Sequence, residues 1–159
     1  MFENQVFSHG DVHTNNIMVE HGKLWLIDFE YAGITFRGWD FSLLMTESTI
    51  AYDEGQPFVY HPESNWDLDK EGEIATLVAY LGEDATKEQV AEFREEVKRC
   101  IVWGHFYWGV WSLVMIETTA DAKEALDFYL PYAVFRFKRF FETYEEFLGK
   151  ESILKHEKL

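Results

Sequence analysis

Basic residues and cysteine are what this 159-residue sequence has least of. Its 14 lysines and arginines stand against 29 aspartates and glutamates, a formal charge of −15. A surface of that sign repels phosphate backbones and anionic membranes, which argues against nucleic acid as a partner. One cysteine, Cys100, leaves no internal disulfide framework and no cysteine-built zinc cluster, and it fits a reducing, cytoplasmic setting. The first ten residues lack both the basic start and the apolar core of a secretory signal. Long apolar runs are missing as well. The best, the 17 residues 100–116, is free of Asp, Glu, Lys and Arg and stands at the lower limit of the length a span needs. It also carries His105, Gly104 and Gly109, and its tryptophans sit in the middle rather than at two interfacial edges. A buried helix is the expectation there, with no membrane span. The length suits one domain that can bury a core.

Short polar groups are concentrated in residues 6–40, VFSHGDVHTNNIMVEHGKLWLIDFEYAGITFRGWD. Residues 4–8 read as a short strand leading into a loop. Residues 17–20 and 23–29 read as two strands joined through His21 and Gly22, a tight hairpin. Folding that hairpin carries Asp28 back toward Asp11 and Asn16. Residues 31–38 read as loop, broken by Gly33 and Gly38, and 40–50 as helix. The composition of 51–69, with Pro57, Pro62, Phe58, Tyr60 and Trp66, suits an ordered loop.

The remainder is helical. Ile74, Leu77, Val78 and Leu81 give helical spacing over 70–81, with Gly82 as the stop. Thr86 and Gln89 form a capping-box pair opening a long helix that runs to about Glu117. Val90, Phe93, Val97, Cys100, Gly104, Trp108, Trp111 and Met115 recur along it at intervals of three and four. A last helix spans 121–149, bent at Pro131, and a frayed tail covers 150–159.

The chemistry these residue types suit is phosphoryl transfer. Moving phosphate from a nucleotide requires a group that orients the attacking hydroxyl and hard oxygen ligands for magnesium. Asp11 and Asn16, five apart on one loop, supply a base and a ligand, and Asp28 supplies a second ligand from another element. Glu30 shares Asp28's side if the backbone is extended there.

His-Gly-Asp-x-x-x-x-Asn over residues 9–16, followed by Ile-Asp-Phe-Glu over 27–30, resembles the catalytic loop and metal segment of the protein-kinase-like phosphotransferases. The longer run IDFEYAGITFRGWDF, with HFYWGVWSL (105–113) and PYAVFRF (131–137), is similar to the choline/ethanolamine kinase family. The resemblance covers most of the chain. It implies an α+β, mainly α-helical fold, the C-terminal lobe of a protein-kinase-like enzyme, with a small β-hairpin beside the catalytic loop. Residues 1–149 would form that lobe, with the catalytic loop and metal segment in 6–40 and a helical substrate-binding region in 41–149. The family's N-terminal nucleotide-binding lobe has no counterpart before Met1, so the C-terminal lobe alone is expected.

Position by position, the resemblance implies Asp11 as catalytic base, Asn16 and Asp28 as Mg2+ ligands, and Glu30 as a further metal contact. Asp40 and His9 would support the loop. Glu47, Tyr52, Trp108, Trp111 and Tyr132 would enclose the substrate cation. His13 stands where the family often has glutamine, and either touches substrate or pairs with a carboxylate. Leu43 and Leu44 replace an Asn-His pair that the family often carries.

A quaternary ammonium donates no hydrogen bond, so aromatic faces and a nearby carboxylate must hold it, each face contributing about 0.5–2 kcal/mol. Aromatics make up 18% of this chain, so one at helical spacing reads first as core. The resemblance is what assigns Trp108 and Trp111 to a pocket. The expected activity is ATP- and Mg2+-dependent phosphorylation of choline or ethanolamine, a step of phospholipid biosynthesis. The alternatives are a non-catalytic partner or regulator of a full-length kinase, and a kinase of the aminoglycoside type. An exposed apolar side of the hairpin would favour homo-oligomers or such a partner.

Overall fold

The computed structural model describes residues 4–52, 57–68 and 70–149. The frayed tail expected over 150–159, and parts of the 51–69 loop, lie outside the described residues.

Strand β1 (Gln5–Ser8) pairs antiparallel with β4 (Gly33–Phe36), setting Gln5 opposite Phe36 and Ser8 opposite Gly33. β4 corrects the loop expected over 31–38. Four residues that open on a glycine give too short an alternation to register, and the partner that stabilises the strand is distant in sequence. Strands β2 (Ile17–Glu20) and β3 (Lys23–Leu26) form the expected hairpin, with Ile17 opposite Leu26 and Glu20 opposite Lys23. His21 and Gly22 both have positive φ, 49° and 74°, the pattern of a type I′ turn, whose twist matches that of the strands. β3 ends earlier than expected because Asp28 turns into the left-handed region at φ 64°. A turn closed by Ala32 N–H donating to the Phe29 carbonyl (3.0 Å) follows it. Much of the hairpin faces solvent, Val19 and Leu24 being 72% and 73% exposed.

Helix α1 (Trp39–Glu47) is followed by the two-residue strands β5 (Ile50–Ala51) and β6 (Val59–Tyr60), which pair with each other. Helix α2 (Glu71–Leu81) ends at Gly82 as expected, where φ is 105° and the N–H donates to the Val78 carbonyl (2.9 Å). The capping box forms in both directions, Gln89 N–H to Thr86 Oγ1 (3.2 Å) and Thr86 N–H to Gln89 Oε1 (2.8 Å). It opens the 32-residue helix α3 (Lys87–Thr118). No helix among the described residues is long and apolar enough to cross a membrane.

The last helical stretch is built in pieces. Asp121 caps α4 (Ala122–Glu124), accepting from Lys123 N–H at 2.8 Å. A π turn (Ala125–Tyr129) follows, then α5 (Leu130–Thr143) and a second π turn (Tyr144–Leu148). Pro131 is the second residue of α5, directly after the first π turn. A residue without an N–H is accommodated at the wider turn, where the α-helical ladder is already interrupted.

The chain divides into two compact units. The first comprises Met1–Ile50 and Tyr60–Cys100. Its core centres on Phe93, fully buried, which stacks on Tyr80 at 4.8 Å and meets Phe41 edge-on at 5.7 Å. The Arg37 guanidinium lies 4.8 Å from the centre of the Phe93 ring and donates to Glu96 Oε2 at 2.7 Å. Gly38 brings the start of α1 so near α3 that a Cβ would stand 3.2 Å from the Val97 backbone. Burial pushes the Cys100 thiol up to about 12. The second unit comprises Ala51–Val59 and Ile101–Leu159, and it buries Trp108, Tyr129, Tyr132 and Ala133 together with His105, Ser112, Arg136 and Thr143.

Candidate active site

The loop between β1 and β2 is held by hydrogen bonds from several directions. Each Asp40 carboxylate oxygen accepts one backbone N–H, from His9 (2.7 Å) and from Gly10 (2.9 Å). Asp40 sits in the first turn of α1, where the helix dipole also favours a negative charge. Gly10 has φ 88°, and a Cβ there would collide with the Tyr31 carbonyl oxygen. A glycine is therefore required on two counts. Trp39 Nε1–H donates to the Gly10 carbonyl at 3.4 Å.

His9 is buried and works as a brace. Its Nδ1 accepts from Asp11 N–H (3.3 Å), which leaves the proton on Nε2 to donate to the Ile27 carbonyl (2.8 Å). One imidazole thus ties the loop to the residue before Asp28. The Phe29 ring lies 4.6 Å from the imidazole.

A short 3-10 turn, Thr14–Asn16, swings Asn16 back toward Asp11. Asn16 Nδ2 donates to the Asp11 carbonyl (3.0 Å) and to Asp11 Oδ2 (3.1 Å). The Asn16 carbonyl accepts from Ile27 N–H at 3.1 Å, joining this loop to the hairpin as well. With its amide nitrogen directed at Asp11, Asn16 has its oxygen Oδ1 as the atom suited to a hard cation.

His13 Nδ1 accepts from Asn15 N–H (3.3 Å), and Nε2 lies 3.5 Å from Asp11 Oδ2. Its pKa is raised from the ordinary value, first by the hydrogen bond to Asp11, against an opposing desolvation, and then by the charges of Asp11, Glu47 and Asp28. Three carboxylates therefore act on one imidazole, and Asp11, His13, Asp28 and Glu47 share one electrostatic neighbourhood. That neighbourhood would attract a cation, and its donors are oxygens. Among the described residues, no group of three or more His, Cys, Asp and Glu converges on a single point. An all-carboxylate cage is thus not formed, whereas a site with few protein ligands that shares magnesium with nucleotide phosphates fits the donors present.

Glu30 stands differently. Placing it on Asp28's side required extended backbone, and the left-handed Asp28 and the turn at Phe29–Ala32 remove that premise. It is exposed, so its assignment rests on the resemblance alone.

The aromatic residues expected around the substrate lie in the second unit. Trp108 and Trp111 meet at 5.3 Å with their rings nearly perpendicular, and Trp111 meets Tyr129 the same way at 5.7 Å. Tyr52 and Tyr132 share a hydrogen bond between hydroxyls at 3.1 Å. Phe128 stacks on Tyr132 at 5.7 Å, and Phe58 meets it edge-on at 5.5 Å. Arg136, fully buried, donates to the Tyr132 hydroxyl and holds its guanidinium 4.8 Å from that ring's centre. Its Nη1 donates to His105 Nδ1 at 3.2 Å. Burial, and then the charges of Arg136 and Arg139, hold His105 well below its ordinary pKa. Phe58, Phe128, Tyr129 and Arg136 were not assigned to the site from the sequence. The signal for Phe128 and Arg136 was available, since both lie four residues from Tyr132 on the same helical face.

The family profile of choline/ethanolamine kinases matches residues 1–141. Among curated relatives, the rat choline/ethanolamine kinase is 28% identical over 86% of this chain. The mouse choline kinase alpha is 30% identical over 86%, and a probable ethanolamine kinase A of Dictyostelium discoideum 29% identical over 91%. The chain spans 37%, 33% and 39% of those three proteins. A crystal structure of choline kinase from Cryptosporidium parvum superposes with a TM-score of 0.71 at 24% identity, covering 92% of this chain and 40% of that one. The fold is thus the mainly helical α+β arrangement of a protein-kinase-like enzyme, with its hairpin beside the loop of residues 9–16. By profile, by relatives and by fold, this chain belongs to the choline/ethanolamine kinase family.

Proposed function

We propose that the chain carries the catalytic loop and substrate-binding part of a kinase that transfers the γ-phosphoryl group of ATP to the hydroxyl of choline or ethanolamine, in the cytoplasm, as a step of phospholipid biosynthesis. The observation that carries the reading is the closed loop of residues 9–16. There Asn16 donates to both Asp11 oxygens it reaches, and Asp40 holds the backbone from below.

Asp11 orients the substrate hydroxyl and accepts its proton as the oxygen attacks phosphorus. Asn16 fixes the Asp11 rotamer, so the acceptor oxygen is positioned before substrate arrives. Asn16 and Asp28 are the residues to hold Mg2+, with Glu30 as a further contact. Bound there, Mg2+ supplies neutralisation of the phosphate charge. His13, beside Asp11, contacts substrate. Glu47 supplies the carboxylate, and Tyr52, Trp108, Trp111 and Tyr132 the aromatic faces, for the cationic head.

The test is phosphate transfer to choline and to ethanolamine by a version extended to its relatives' length, compared with its Asp11→Ala variant. Turnover should fall by about a thousandfold or more, with choline affinity retained. Turnover that survives the substitution overturns the assignment of Asp11. A second reading, a non-catalytic partner of a complete kinase, is favoured by the exposed Val19, Leu24 and Trp25 of the hairpin. Light scattering of the chain alone and mixed with a complete kinase distinguishes the two.

A further inference from the structure

The two carboxylate oxygens of Asp11 are treated differently by the loop around them. Oδ2 accepts from Asn16 Nδ2 at 3.1 Å and stands 3.5 Å from His13 Nε2. Among the described residues no hydrogen bond reaches Oδ1. We infer that His13 is a positioning residue: with Asn16 it holds Oδ2, which leaves Oδ1 as the oxygen that takes the proton of the substrate hydroxyl. This rests on Asp11 being the base of the transfer.

The backbone fixes which ring nitrogen faces Asp11. His13 is extended, with φ −146° and ψ 171°, and it caps the Thr14–Asn16 turn by accepting the Asn15 N–H on Nδ1 at 3.3 Å. A neutral imidazole that accepts on Nδ1 carries its proton on Nε2, so the ring can donate to Asp11 without first being protonated. Asp11 is also the first cause of the raised pKa of His13. Val12, between the two, is buried, whereas the Asp11 and His13 side chains are 23% and 21% exposed, within reach of a substrate. One donor on Oδ2 leaves the carboxylate able to swing about its Cβ–Cγ bond. Two donors from separate side chains fix its plane before substrate arrives. As the substrate oxygen bonds to phosphorus, and the bond from phosphorus to the departing ADP oxygen breaks with its electron pair, the hydroxyl proton passes to Oδ1.

The test compares His13→Leu and His13→Gln in the version extended to its relatives' length, with circular dichroism verifying the fold. Leucine removes the donor, and turnover should fall by about tenfold or more at unchanged KM, by the same factor for choline and for ethanolamine. Glutamine, whose amide N–H has a similar reach, should restore turnover to within about threefold. A rise in KM alone, or a loss confined to one of the two substrates, marks a substrate contact and overturns the positioning role. So does a glutamine variant as slow as the leucine one, or a leucine variant with full turnover. Asp11→Ala separates the failures: if it keeps its turnover, the reading of Asp11 as base falls and this inference with it, whereas an inactive Asp11→Ala beside a fully active His13→Leu sinks the inference alone. Nitrogen NMR of the unmodified chain decides without any variant. At alkaline pH, where the ring is neutral, the His13 proton should sit on Nε2, and a proton on Nδ1 would leave no donor for Asp11 and overturn the assignment.

Discussion

His13 and His105 sit in different units and are driven in opposite directions. His13, in the acidic loop, is pushed toward its protonated form by Asp11 and the nearby carboxylates. His105, buried against Arg136, is pushed toward its neutral form by desolvation and by cations. The contrast extends to how each region is held together. The loop depends on directed hydrogen bonds to single atoms, as in the two N–H groups on Asp40. The aromatic cluster depends on ring packing around one buried cation. Directed bonds fail when one atom changes, and packing fails when volume changes.

Removing volume from the cluster should therefore have the largest effect. Trp108→Ala is expected to lower stability by about 4 kcal/mol, read as a shift in the urea midpoint at unchanged slope. Asp40→Ala should come next at about 3 kcal/mol, since it leaves two N–H groups without their carboxylate. The isosteric changes sharpen the comparison. Asp40→Asn keeps the volume and loses one acceptor, so about 1.5 kcal/mol should go, measured by the same denaturation. Trp111→Phe keeps an apolar ring and should remain below about 1 kcal/mol. A larger loss for Trp111→Phe than for Asp40→Asn would break the distinction.

The pH dependence should separate the two histidines. A raised folded pKa means that the stability from His13 is fully present below about 6.5, the unfolded value, and is lost as pH rises through the higher folded value. A depressed folded pKa means that the stability linked to His105 is present above about 6.5 and is lost as pH falls below it, at up to about 1.4 kcal/mol per pH unit. Urea midpoints measured across pH should lose the alkaline-side decline in His13→Gln and keep the acid-side one. Imidazole NMR titration should find His13 titrating above the ordinary value and His105 still neutral well below it.

Much of the loop was legible because its chemistry is local. Asp11 and Asn16 are five residues apart, and the His21-Gly22 turn announced the hairpin that returns Ile27 beside them. Gly82 and the Thr86/Gln89 pair were readable for the same reason, since a helix end is written in a few adjacent residues. β4 was missed because what stabilises Gly33–Phe36 is β1, a partner no short window contains. Asp28 was assigned to a strand, since nothing in Ile-Asp-Phe-Glu signals a left-handed aspartate. The aromatic cluster was only partly legible. Helical spacing placed Trp108 on the apolar stripe of α3, where it is buried, but the contact of α3 with α5 is what sets Arg136 beside His105.

Cys100 gives the fold a reporter of its own. It is the chain's single thiol, fully buried, with a pKa of about 12. Alkylating reagents attack the thiolate, so the native state should be nearly inert to iodoacetamide, and labelling should proceed through opened molecules. The labelling rate would then count excursions that expose the middle of α3, on an absolute time axis, without a dye or an engineered probe.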